Sequence, residues 1–156
     1  MKYAPRNKEL VLVPYLEVGL LEFGKLRNDI RAVMQQYDTK VETFRRNEFS
    51  VNDTDSYYNG ELFLEYNESD TLSGIEYSDF PIFYGKQIIS KMTFDQLIEL
   101  DKDHNIIADT LFLNSLGLVI GYDTEENNKI TSILISNRPE FEELKDQYIE
   151  FEKSID

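Results

Sequence analysis

Two stretches of alternating hydrophobicity constrain this chain more than anything else in it. In "ELFLEYNESDTLSGIEYS", residues 61–78, Leu62, Leu64 and Tyr66 alternate with Glu61, Phe63 and Glu65, then Ile75 and Tyr77 flank Glu76 after a turn-rich "NESDT". In "LGLVIGYDTEENNKITSILIS", residues 116–136, the same rhythm returns around the turn "DTEENNK". Period-two patterning with polar turns between the runs predicts β-hairpins. Aligning Tyr66-Asn67 on Tyr122-Asp123 sets Leu62 on Leu118 and Leu64 on Ile120. Two extra residues in the second turn then bring Leu72, Ile75, Tyr77 and Ser78 onto Ile130, Ile133, Ile135 and Ser136.

Each hairpin follows an amphipathic segment. "KLRNDIRAVMQQY" spaces Ile30, Val33, Met34 and Tyr37 as one helical stripe. "TFDQLIEL" opens with Thr93 and Gln96 in capping-box positions and carries Phe94, Leu97 and Ile98. Asn137, Pro139 and Glu140 start a third helix whose apolar residues are Phe141, Leu144, Tyr148, Phe151 and Ile155. A short strand is expected at Leu10 to Val13, ended by Pro14, and another around Val41 to Phe44. Residues 101–105, "DKDHN", read as a solvated loop closing the second helix. The expected fold is α+β: one domain over residues 1–156, an antiparallel sheet with helices packed on one face. Its two tandem helix-hairpin units would be half-repeats at 19–85 and 86–136, followed by a C-terminal helix at 139–153.

Charge is the second constraint. Thirty acidic and 16 basic residues leave a net charge of -14, beyond the magnitude of about 2–8 that solubility asks of a small domain. The excess is concentrated. Residues 47–85 hold nine Asp or Glu and nine Phe or Tyr without a single Lys or Arg. In the second hairpin the positions matching Glu61, Phe63, Glu65 and Glu76 are Gly117, Val119, Gly121 and Leu134. Hairpin architecture therefore does not require those acids. If Tyr66 pairs with Ile75, Glu65 stands opposite Glu76, where like charges destabilise. Aromatic rings beside unbalanced carboxylates suit an interface for a basic protein, with rings as anchors and charge as steering. The expected partner-binding residues are Tyr57, Glu61, Phe63, Glu65, Glu68, Asp70, Glu76 and Asp79. The alternative is an ordinary solvated face.

Other chemistries find little support. With no cysteine there is no disulfide, thiolate nucleophile or Cys-ligated zinc. His104 is the only histidine, and no "GxSxG" accompanies it. "DKDHNIIADTLF" begins like a calcium loop but has Ile106 and Phe112 where the turn glycine and bidentate Glu belong. No Walker loop or "GxGxxG" is present. No catalytic residue, cofactor or metal ligand is expected. The field repels nucleic acid and anionic membrane. The N-terminal stretch resembles no signal peptide and no apolar run of about 20 residues occurs, so a cytoplasmic protein is expected.

The order "VGLLEFGKLRNDIRAVMQQY", "LFLEYNESDTLSGIEYS", "FYGKQI" and "FDQLIEL", over roughly residues 15–136, resembles bacterial polymorphic-toxin immunity proteins. Their layout is loosely similar to the tandem helix-hairpin units of beta-lactamase inhibitor proteins. Leu26 departs from the pattern, standing where Ser or Thr usually caps the first helix. The resemblance implies a cytoplasmic inhibitor that neutralises a cognate, basic bacterial toxin, a nuclease being a frequent kind. Two other classes fit less well: an acidic mimic of nucleic acid, which would spread its acids over a long surface, and a carboxylate-based enzyme.

Overall fold

A computed structural model describes residues 10–48, 50–77 and 81–155. Among these the chain order is β1 (Leu10–Val13), β2 (Glu17–Val18), β3 (Leu21–Glu22), α1 (Arg27–Met34), β4 (Glu42–Phe44), β5 (Thr54–Tyr57), β6 (Leu62–Tyr66) and β7 (Leu72–Tyr77). Then come β8 (Ile82–Tyr84), β9 (Gln87–Ile88), α2 (Phe94–Leu100), β10 (His104–Ile107), β11 (Thr110–Leu113), β12 (Leu118–Asp123), β13 (Lys129–Ser136) and α3 (Arg138–Ser154). An eight-stranded antiparallel sheet runs β10-β11-β12-β13-β7-β6-β5-β4. A smaller sheet, β3-β2-β1-β8-β9, is antiparallel except where β1 and β8 pair parallel. The fold is α+β.

The large sheet reads alike from both ends. Leu62, Phe63 and Leu64 face Tyr77, Glu76 and Ile75, while Leu118, Val119 and Ile120 face Ile135, Leu134 and Ile133. Each hairpin shifts register at one place, Glu65/Tyr66 in the first and Gly121/Tyr122 in the second. The hairpins meet along β7 and β13, with Ile75 opposite Ile135, Tyr77 opposite Ile133, and Glu76 opposite Leu134. This register makes a local two-fold axis pass between Glu76 and Leu134. Outward from it, Tyr57, Ser56 and Asp55 on β5 match Leu113, Phe112 and Leu111 on β11, and Phe44 on β4 matches Ile107 on β10.

Two strand pairs expand the expected hairpins into four-stranded meanders. The solvated loop expected at residues 101–105 ends at Asp103: His104–Ile107 is an edge strand on β11. The Ala108 and Asp109 turn runs at positive φ, which hid the hairpin behind an unremarkable sequence. Strand β5 also escapes the pattern, because "TDSY" is buried throughout and does not alternate in polarity.

Pleating sends alternate residues to opposite faces. On one face Leu62, Leu64, Tyr66, Ile75, Leu118, Ile120, Ile133 and Ile135 build the main core with Ile30 and Met34 of α1, Leu97 of α2 and the small sheet. Helix α3 lies on the other face. Phe141, Leu144, Tyr148 and Ile149 join Ile107, Phe112, Val119 and Leu134 there. The helices are thus not gathered on one face. The second hairpin is apolar on both sides, and each side takes its own cover. Beyond Ile149 the stripe of α3 runs out: Phe151 and Ile155 stand in solvent.

Candidate acidic interface

The reverse face of the sheet is divided. α3 covers Ile107, Phe112, Val119 and Leu134; the matching positions across the axis are Phe44, Ser56, Phe63 and Glu76. No helix among the described residues covers this second half. The rings of Phe44 and Phe63 meet edge to face at 5.7 Å and form a ridge. Arg46, two residues beyond Phe44, reaches back over Phe63 with its guanidinium carbon 4.9 Å from the ring centre. It donates to Glu65 Oε1 at 3.3 Å and makes a close ion pair with Glu76.

This arrangement corrects the expected pairing. Glu76 stands opposite Phe63 and Glu65 opposite Gly74, so the two acids are diagonal neighbours joined by Arg46. A Cβ on Gly74 would lie 3.3 Å from Glu65 Oε2 and 3.4 Å from Leu134 Cδ1, so Glu65 lies close over the glycine backbone. Burial, opposed by Arg46 and reinforced by Glu76, raises the Glu65 carboxyl above its ordinary range.

Two depressions flank the ridge. The larger, about 560 Å³, lies between residues 47–54 and α3, and its carboxylates are Glu65, Glu68, Glu140 and Glu143. None of its described lining residues is Lys or Arg. Burial, with Glu143 and Glu65 nearby, raises Glu140 as well. The smaller, about 450 Å³, is lined by Asp38, Lys40, Glu42, Ser56 and Glu61 among others. One oxygen of Glu61 is buried there without a hydrogen-bond partner.

Of the eight residues expected from sequence, Glu61, Phe63, Glu65, Glu68 and Glu76 share this region. Tyr57 does not: it is 2% exposed, turned into the main core like Leu113, and burial pushes its hydroxyl up to about 12. Asp70 is committed to structure, accepting from Arg27 Nε at 2.8 Å and Asn52 Nδ2 at 3.1 Å. Asp79 lies outside the described residues. Phe44, Arg46, Glu140 and Glu143 were missed. The first two share the parity of Glu42 along β4 and could have been read from it. Of the acids of α3, Glu140 was legible only as a first-turn helix residue and Glu143 only as a charged residue one turn further on.

The main-core side carries a different charge cluster. Asp55, fully buried, accepts from Arg27 and Arg31 at 2.8 Å and from Thr43 at 3.0 Å. Burial alone would raise its carboxyl, but the Arg31 and Thr43 hydrogen bonds and both arginine charges hold it below its ordinary value. Arg27 also stacks over Tyr66 at 4.0 Å and donates to the Asp53 carbonyl. The Asp70 carbonyl receives the Arg27 backbone N–H at 2.9 Å, which serves the helix start that Leu26 cannot cap. These groups satisfy one another and tie α1 to the first meander.

No protein-family model matches the chain, and no curated protein or solved structure matches it either. Among the described residues no helix is long and apolar enough to cross a membrane, and no group of three His, Cys, Asp or Glu is placed to hold a metal ion.

Proposed function

We propose that this protein is a cytoplasmic immunity-type inhibitor, which binds a basic toxin domain stoichiometrically through the acidic half of its reverse sheet face. One observation carries the reading: among the described residues no helix covers this half-face as α3 covers its two-fold counterpart, and it presents Glu61, Glu65, Glu68, Glu76, Glu140 and Glu143 around the Phe44–Phe63 ridge. Arg46 balances only part of that charge. An apolar centre ringed by one sign of charge gives a basic partner both an anchor and a steering field. Inhibition then follows from occlusion and requires no chemistry from the chain.

The test is a tagged pull-down from the native cell at low salt, eluted with rising salt, beside a Glu68→Lys/Glu143→Lys variant. Both residues are exposed, so the variant keeps the core intact. One stoichiometric basic protein retained by the parent and lost by the variant is the expected result. Equal retention by both, or recovery of generic cationic proteins alone, would sink the reading.

A further inference from the structure

The two-fold relation says what shape of partner fits the uncovered half. On the covered half, helix α3 packs on residues of β10 to β13 and sets Phe141 and Tyr148, seven positions apart, against Phe112 with ring centres at 5.7 and 5.4 Å. The uncovered half repeats the strands and their register. It keeps apolar side chains at two of the four seat positions, Phe44 for Ile107 and Phe63 for Val119. What differs is chemistry: Ser56 replaces Phe112, Glu76 replaces Leu134, and Glu65 replaces Gly121. A seat built for a helix has exchanged an apolar lining for an apolar ridge between two acidic depressions.

We infer that the partner presents a basic amphipathic helix to this seat, with two Arg or Lys seven positions apart and apolar side chains between them. The inference rests on the acidic-interface reading above and narrows the partner's form. The spacing comes from the sheet. Glu61, just before β6, and Glu65, within it, mark the two depressions; four residues at about 3.3 Å each set them about 13 Å apart. Seven helical residues rise about 10.5 Å, and the flexible arms of Arg or Lys cover the difference. The apolar residues at the third and fourth positions then land on Phe44 and Phe63. One basic arm enters the groove of Glu65, Glu68, Glu140 and Glu143, where, among the described residues, Arg46 pairs with Glu65 and the other three have no ion pair. The other reaches the depression of Glu42 and Glu61, where Lys40 is the one cation among the described lining residues. An extended strand laid over the face would fit less well, because its alternate side chains point away from the sheet and its backbone would meet no edge short of β4.

Two synthetic helical peptides of identical composition test this, titrated calorimetrically into the full chain at low salt. Both are alanine-based and about 20 residues long, a length that supports helix. In the first, two arginines lie seven positions apart with leucines at the third and fourth places between them; in the second, the two arginines are adjacent. The first is expected to bind at least tenfold tighter, and to lose that advantage against Phe44→Ser, a change at an exposed position. Equal binding by both peptides would overturn the inference while leaving an acidic surface that counts charge alone. Binding by neither would overturn it too, and the pull-down then decides separately whether a partner uses this face.

Discussion

The two-fold relation makes a stability prediction at Asp55. The position matching Asp55 is Leu111. Counting from the N-caps Leu26 and Thr93, Arg27 and Arg31 of α1 match Phe94 and Ile98 of α2. Even the ring contact corresponds, for Arg27 lies 4.0 Å over Tyr66 where Phe94 lies 4.7 Å from Tyr122. One half of the molecule holds its helix with a buried ionic cluster, the other with apolar packing. Asp55→Leu alone leaves Arg27, only 7% exposed, without its buried counter-charge. Breaking such a pair from one side costs about 3–5 kcal/mol. The lower end applies, because the Arg31 side chain is 34% exposed and screened, and Arg27 keeps Asp70 and the Asp53 carbonyl. With a urea m-value near 2 kcal/mol/M, a loss of about 3 kcal/mol moves the midpoint down by about 1.5 M. Adding Arg27→Phe and Arg31→Ile removes the buried charges and copies the other half, leaving Asp70, whose side chain is 47% exposed, to Asn52 and solvent. The triple variant is expected to return within about 1 kcal/mol of the parent. Urea unfolding followed by far-ultraviolet circular dichroism reads both. A single-variant loss below about 1 kcal/mol, or a triple variant no better than the single, would refute the reasoning.

Three further outcomes are expected. Phe141→Ala empties the centre of the reverse-face cluster, where the ring is fully buried against Tyr15 and Phe112, and should cost about 3–5 kcal/mol in the same assay. Thr93→Ala removes the side chain that accepts from the Gln96 backbone at 3.2 Å, and should cost about 1 kcal/mol, with Thr93→Ser restoring most of it. The pH dependence has two signs. Asp55, depressed in the fold, contributes stability that is present above its ordinary 3.8 and is lost as pH falls through its folded value. Glu140, raised by burial, works the other way: the fold binds its proton more tightly than the unfolded chain does, so stability falls as pH rises past 4.5. Glu140→Gln should therefore raise the urea midpoint at pH 7 and flatten the profile above pH 4.5; an unchanged profile would contradict the assignment.

Local pattern was enough for the elements that alternate or cap cleanly. The hairpins β6–β7 and β12–β13, the capping box at Thr93 and the Asn137 start of α3 all follow from side-chain period and backbone chemistry within a few residues. The correspondence of the two hairpins was legible for the same reason, since their matched apolar positions repeat once two extra residues are allowed in the second turn. Strand β5 was not, because a sequence of Thr, Asp, Ser and Tyr reads as a polar loop until Arg27 and Arg31, more than twenty residues away, neutralise its acid.

The acidic interface divides in the same manner. That residues 47–85 hold acids without a cation is a property of the sequence alone, and so is the contrast between Phe63, Glu65 and Glu76 and their apolar counterparts. How much of that charge remains uncompensated was decided by tertiary structure. Arg46 folds back over Phe63 to hold Glu65 and Glu76, Tyr57 turns inward, and α3 delivers Glu140 and Glu143 to a groove that no linear pattern predicts. Periodicity reports which face a side chain takes on its own element. Which distant element covers that face depends on how whole layers pack, and in this protein that packing buries one half of the reverse face beneath α3 and leaves the other half, among the described residues, without a helix over its partly buried carboxylates.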